Sequence, residues 1–342
     1  MTRATKTNMY REAAEAPDRV ANQLQRNAAV IATLVDRLRA NPPAAFVTIG
    51  RGSSDHAATF ARYLVETRMG ILSSSLSPSI FSIFNAPLSL SNMLCLAISQ
   101  SGRSPDLLAA ATAAKDSGAI VVALVNDPNS PLAEVASIVV DQGAGPEKSA
   151  AATKSFITSL SAIAQLVALW SGDEAMEAGL AQLPSALSQA WREDWSPCRD
   201  MLKTAQHLYT VGRGLHLGTA QEAAHKLKEI CMIHAEAFSS AEILHGPNEL
   251  AGKDFPVLLF RSDDASDASV VEAAQRLGAQ GAPVMMAGGS DPRSLPVPRA
   301  PHPALAPILQ IQAFYRMAND LAFDRGHDPD QPRHVQKITH TL

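Results

Sequence analysis

Apolar residues along the chain fall into short runs broken by glycine- and serine-rich turns. Over residues 8–40, Val20, Leu24, Val30, Ile31, Leu34 and Leu38 recur at roughly helical spacing. Asn41-Pro42-Pro43 ends that run. The β-rich segment Ala45-Phe46-Val47-Thr48-Ile49 follows, then the turn Gly50-Arg51-Gly52-Ser53-Ser54, then a helical pattern over 55–69. The unit repeats, with Met93 to Ile98 as strand, Ser99-Gln100-Ser101-Gly102 as turn and Pro105 to Ser117 as helix. Ile120 to Val125 and Ile138 to Val140 read as further strands, separated by a short helix. Strands that alternate with helices predict a parallel sheet. Near-continuous apolar strands predict that both of its faces are covered.

The second half echoes the first. An offset of 162 residues carries Gly50 onto Gly212, within His207-Leu208-Tyr209-Thr210-Val211-Gly212-Arg213-Gly214. The same offset carries Ser99 onto Arg261, directly after the apolar run Val257 to Phe260, and brings Gly118 close to Gly281. This predicts two tandem α/β domains of one fold, related by internal duplication. The expected organisation is a helical segment over 1–40, a first domain over 41–195, a second over 196–325 and a tail over 326–342. Pro184 and Pro197 are expected to bracket the linker. Phe156 to Trp170 is interrupted by Thr158, Ser159, Ser161 and Gln165 and reads as a buried helix, not a membrane span.

Composition narrows the function classes. The 342 residues are 46% hydrophobic and 18% charged, which suits a chain that buries much of its surface. A net charge of −4 leaves no domain-wide basic face for nucleic acid. Cys95, Cys198 and Cys231 are too few and too far apart for a disulfide framework or a zinc site. No apolar signal segment opens the sequence. A cytoplasmic protein without a metal or organic cofactor is expected.

Three segments carry candidate chemistry. Ser99-Gln100-Ser101-Gly102-Arg103-Ser104 follows a strand and opens a helix, so hydroxyls and helix N-terminal amides converge where the helix dipole favours an anion. Ordinary capping by Ser101 or Ser104 is the competing reading. Ser53 and Ser54 stand in a similar turn. The loop lacks the lysine of a nucleotide-binding P-loop. Its counterpart, Arg261-Ser262-Asp263-Asp264, carries two carboxylates that would repel phosphate, so one anion site per chain is expected. In 221–230, Glu222, Lys226 and Glu229 share a helix face, and ion pairs on a solvated face are the simple account of Glu222. Glu229 adjoins the apolar stretch Met232 to Phe238, and partial desolvation there suits a general base. His234 is expected on a helix face as a core or supporting residue, and His245 on a Gly-Pro turn. The polar tail 324–342 reads either as a frayed end or as a strap whose Lys337 closes over a pocket.

Six motifs in order resemble the sugar isomerase (SIS) domain family, and within it the isomerase half of the glucosamine-6-phosphate synthases. They are Ser99-Gln100-Ser101-Gly102, Ala152-Thr153-Lys154-Ser155-Phe156, Lys226-Leu227-Lys228-Glu229, Ile233-His234-Ala235-Glu236-Ala237, His245-Gly246-Pro247 and Asp330-Gln331-Pro332-Arg333. The resemblance implies two doubly wound, flavodoxin-like domains that bind a hexose 6-phosphate. It implies that Ser99, Gln100, Ser101 and Ser104 hold the phosphate and that Ser53 and Ser54 contact sugar or phosphate. Glu229 would move a proton between C1 and C2, supported by Glu222 and Lys226. His245 would open the sugar ring from the neighbouring subunit of a homodimer. Lys337 would match a tail lysine that forms a Schiff base with a keto sugar. Two positions depart from the pattern: Ala152 replaces a serine, and Leu244 replaces the lysine common before His245. No segment matches the glutaminase of those synthases. The expected reaction is therefore conversion of glucosamine 6-phosphate to fructose 6-phosphate and ammonia. Alternatives are a deglycase of a fructosamine 6-phosphate, another phosphosugar isomerase bearing a synthase-like transaminase name, and a non-catalytic sugar-phosphate sensor.

Overall fold

The structure is a computed structural model. It describes residues 4–290 and 294–334. The described chain forms two compact units: Asp18–Pro146 with Lys154–Ala181, and residues 4–17 with Glu147–Thr153 and 182–334. Helix α1 (Asn8–Ala14) belongs to the second of these. The first contains most of α2 (Ala16–Ala40), then β1 (Ala45–Ile49), α3 (Ser53–Met69), β2 (Ser73–Ser75), α4 (Ser79–Ser82) and β3 (Met93–Ser99). It continues with α5 (Pro105–Asp116), β4 (Ile120–Val125), α6 (Pro131–Val135), β5 (Ile138–Asp141) and α7 (Lys154–Ser171). After α8 (Glu174–Ala190) the second unit runs through α9 (Ser196–Leu202), β6 (His207–Gly212), α10 (His216–Cys231), β7 (His234–Ser239) and β8 (Val257–Phe260). It ends with α11 (Asp267–Ala279), β9 (Val284–Ala287), β10 (Ser294–Leu295) and α12 (Ala306–Asp324).

Each unit holds a five-stranded sheet whose described pairings are all parallel. The orders are β2-β1-β3-β4-β5 and, read in the matching direction, β7-β6-β8-β9-β10. This is the flavodoxin-like doubly wound order. The offset of 162 carries β1 onto β6, α3 onto α10, β2 onto β7, β3 onto β8 and α5 onto α11 within a few residues. The duplication is thus a property of the fold as well as of the sequence.

Alternate residues of the first sheet (Val47, Ile49, Cys95, Ala97, Val121, Ala123, Val125) pack against Leu107, Ala110, Ala111 and Ala114 of α5. In the second, Tyr209, Val211, Val257, Leu259, Val284 and Met286 pack against Val270, Ala273, Ala274 and Leu277 of α11. Burial of each Val or Leu contributes about 1.5–3 kcal/mol, which fixes strand register. All three cysteines are free and buried. Among the described residues no helix is long and apolar enough to cross a membrane.

Three sequence expectations are corrected. The helix over 8–40 is two helices, because Pro17 has no amide hydrogen to continue the ladder. The Ala13 carbonyl instead accepts a hydrogen bond from Gln312 Nε2 at 3.0 Å. Pro184 and Pro197 do not bracket a linker; Pro184 lies inside α8 and Pro197 in the first turn of α9. His234 is not on a helix face. Met232 turns left-handed (φ +53°) and stops α10, and His234 opens β7 with its side chain exposed. The tail motif is anchored at Asp330, whose carboxylate accepts the amides of Asn8 and Met9 at the start of α1.

Candidate functional site

Both halves make the same sharp exit from their first strand. A Cβ on Gly50 would lie 2.9 Å from the Ser54 and Asp55 backbone, and one on Gly212 would lie 2.2 Å from the His216 carbonyl. Only glycine lets the next helix begin so close to the strand end. In the first unit this places Ser53 and Ser54 at the N-terminus of α3, beside the loop after β3. Strands β1 and β3 are neighbours whose chains then depart in opposite directions. The crevice outside such a switch point is where open α/β sheets bind ligands.

The loop after β3 is held by its own hydrogen bonds and carries several hydroxyls. Ser99 Oγ accepts the Gly102 amide at 3.0 Å, and Ser101 Oγ accepts the Arg103 amide at 3.3 Å. Gly102 is left-handed (φ +62°), and a Cβ there would meet Ser130 Oγ at 2.2 Å. Ser104 occupies the cap position of α5, yet its side chain makes no capping hydrogen bond. Ordinary capping therefore does not account for Ser104, and its hydroxyl stands at a helix N-terminus that favours an anion. Gln100 lies half-buried between these serines. In the second half, Asp264 Oδ1 accepts both the amide and the hydroxyl of Ser266, at 2.8 and 2.6 Å, so that loop closes on its own carboxylate.

The second set of residues lies in the other unit, on α10. Glu222 and Lys226 are 0% and 1% exposed, which overturns the solvated-face account of Glu222. Lys226 Nζ contacts Glu229 and lies 3.6 Å from Glu222 Oε1. The Tyr315 hydroxyl, from α12, donates to Glu222 Oε1 at 3.0 Å. His225 Nε2 lies 3.1 Å from Glu229 Oε1. Burial acts to raise the Glu229 carboxyl, but the Lys226 charge and the hydrogen bond from His225 outweigh it and hold the group at about 2. Lys226 is raised: burial pulls it down, and Glu222 and Glu229 more than compensate, with a contribution from Glu147. The cluster thus pairs the Glu229 carboxylate with the Lys226 ammonium in a buried setting, where an unpaired charge could not persist.

His245 follows a short helical turn over Glu242–Leu244 and is exposed. It makes no hydrogen bond or ion pair with the α10 cluster among the described residues. Lys337 lies outside the described residues. Among the described residues no three His, Cys, Asp or Glu side chains converge as a metal site requires. Sequence reading missed His225, although it stands four residues before Glu229, and it missed Tyr315 and Glu147, which only folding brings to α10. It also passed over Arg51, whose Nε donates to the buried Asp106 Oδ2 at 3.0 Å.

The chain therefore combines a duplicated parallel α/β fold with a serine loop at one switch point and a buried acid–lysine–acid helix. The SIS domain model matches residues 44–169 and 201–290, and the chain belongs to that family. The glutamine–fructose-6-phosphate aminotransferase [isomerizing] of Thermococcus kodakarensis is 30% identical over 96% of this chain and 57% of its own length. The chain spans about half the length of the curated relatives it matches. A solved candidate phosphosugar isomerase from Silicibacter pomeroyi DSS-3 superposes with a TM-score of 0.89 at 42% identity, over 95% of this chain and all of that one. The C-terminal domain of glucosamine-fructose-6-phosphate aminotransferase from Francisella tularensis gives 0.85 at 25% identity, over 96% and 98%. The chain corresponds to the isomerase part of those enzymes.

Proposed function

We propose that the chain is a phosphosugar aldose–ketose isomerase that converts glucosamine 6-phosphate and water to fructose 6-phosphate and ammonia. The carrying observation is the buried Glu222–Lys226–Glu229 network, in a family whose relatives are named for isomerisation and amino transfer at fructose 6-phosphate. Ser99, Gln100, Ser101 and Ser104 take the phosphate, and Ser53 and Ser54 contact sugar or phosphate. His245 opens the ring. Its exposure and lack of partners in the α10 cluster suit donation to the site of a second subunit in a homodimer.

Glu229 then takes the proton from C2 of the open-chain aldose and delivers it to C1. The C2 amine becomes an imine; water adds at C2, the C–N bond breaks, and ammonia leaves. A carboxylate held at about 2 is a weak base. Sugar hydroxyls that draw Lys226 away restore its basicity, so substrate binding itself arms the base. Lys337, outside the described residues, is assigned the amine that forms a Schiff base with a keto sugar.

The test is release of ammonia from glucosamine 6-phosphate, followed beside fructose 6-phosphate. Wild type releases both together, and Glu229→Gln loses at least about 100-fold, the scale of general-base catalysis. Aldose–ketose exchange without ammonia would assign a different phosphosugar. Heat protection by the sugar phosphates with no turnover of any would assign a sensor.

A further inference from the structure

Arg51 was assigned no role by the sequence, yet it sits where a ligand would. It lies two residues past the end of β1, and Asp106 lies in the first turn of the helix that follows the serine loop of β3. The Arg51–Asp106 ion pair therefore spans the β1/β3 crevice. Nε donates to Asp106 Oδ2 at 3.0 Å, and Nη2 stands 3.0 Å from the same oxygen. Asp106 is fully buried, whereas the Arg51 side chain is 50% exposed. Among the described residues Nη1 has no hydrogen-bond partner. The guanidinium is thus clamped along one edge and open along the other.

The duplication supplies a control. The residue matching Arg51 is Arg213, and it turns away to donate to Ser239 Oγ at 3.0 Å. The position matching Asp106 is Ala268. The fold itself therefore does not require an arginine held across the crevice; only the half with the serine loop has one. The nearest other cation of that loop, Arg103, is tied to Asp127 at 2.6 Å. Arg51 differs from Arg103 in that its carboxylate partner is fully buried and holds it along one edge, and the other guanidinium edge suits phosphate oxygens.

We infer that Arg51 is a substrate-binding residue of the phosphosugar site, held by Asp106 so that its free edge meets a phosphate monoester. This inference rests on the proposed function and adds a guanidinium held by a buried carboxylate to the hydroxyls of the serine loop.

The test is calorimetric titration with fructose 6-phosphate of wild type, Arg51→Lys, Arg51→Met and the double variant Arg51→Met/Asp106→Asn. The double variant removes the buried charge that Arg51→Met alone would strand, so it stays informative if the single variant fails to fold. Loss of one charged hydrogen bond predicts roughly 10–100-fold weaker binding in the double variant. Lysine is expected to restore part of it. With glucosamine 6-phosphate, KM is expected to rise far more than kcat falls. Wild-type affinity in the double variant, with Ser101→Ala still weakened, would overturn the role of Arg51 and leave the phosphosugar reading standing. A lower melting temperature with unchanged affinity would reduce Arg51 to a structural role and overturn it too. If wild type binds no fructose 6-phosphate, both the inference and the reading it rests on fall.

Discussion

Lys226→Met isolates the electrostatics of the α10 cluster. Lys226 is 1% exposed, contacts Glu229 and lies 3.6 Å from Glu222. In the wild type burial raises the Glu229 carboxyl, but Lys226 and His225 bring it from 4.5 to about 2. The folded value lies below the unfolded one. Glu229 therefore stabilises the fold above pH 4.5, and that contribution is lost as pH falls from there toward 2. At about 1.4 kcal/mol per unit the shift is worth roughly 3 kcal/mol. Methionine removes the Lys226 charge and hydrogen bond and leaves burial opposed by His225 alone, so the carboxyl rises from its wild-type value and its stabilising contribution shrinks. Breaking a buried pair costs about 3–5 kcal/mol, which is the deficit expected at pH 7. Protonation of one carboxyl returns up to about 1.4 kcal/mol per pH unit, so at pH 5 the deficit shrinks by up to about 2.7 kcal/mol. Urea unfolding followed by circular dichroism, variant against wild type at both pH values, measures this, and groups common to both proteins cancel. A deficit below about 1 kcal/mol at pH 7, or one that fails to shrink on acidification, would refute the buried Lys226–Glu229 ion-pair account.

The other expectations concern the serine loop and a buried histidine. Gly102→Ala places a methyl 2.2 Å from Ser130 Oγ at a left-handed residue. It should destabilise the fold by about 1–3 kcal/mol and abolish protection by fructose 6-phosphate in thermal melts, and an unchanged ligand shift would remove the loop from the site. His216 is fully buried, neither ring nitrogen has a partner among the described residues, and burial holds it at about 4 against 6.5 unfolded. Below pH 6.5 the unfolded chain binds the extra proton, so stability drains until about pH 4, by roughly 3 kcal/mol in all. His216→Phe should flatten that slope in urea titrations; an equal slope in both proteins would place the acid sensitivity elsewhere.

Strand and helix order was legible because apolar runs bounded by Gly-Arg-Gly and Ser-Gln-Ser-Gly turns leave few alternatives to a parallel sheet. β7 was misread because His234-Ala235-Glu236-Ala237 alternates over too few residues to outweigh the preceding helical pattern. Only the left-handed Met232 reveals where α10 stops. The edge strand β2 was missed because Ser73-Ser74-Ser75 carries no apolar signal and is defined by its pairing with Phe46, Val47 and Thr48. The serine loop was read from hydroxyls at a predicted strand–helix junction, which is local information. Whether Ser104 caps α5 depended on where its hydroxyl points, which is not.

The sequence by itself determined the repeated α/β plan, the family and the residues of the serine loop, because these depend on periodicity, glycine placement and short motifs. Tertiary structure decided the character of the charges. Glu222 and Lys226 show a surface-like spacing, and they are buried because α12 covers their face and Tyr315 supplies the hydroxyl, 93 residues away. Arg51 and Asp106, separated by 55 residues, meet because β1 and β3 are adjacent in the sheet. Spacing along the chain fixes which residues share a helix face; desolvation and long-range pairing, which set a charge's protonation and its reach, exist only once the sheets have closed.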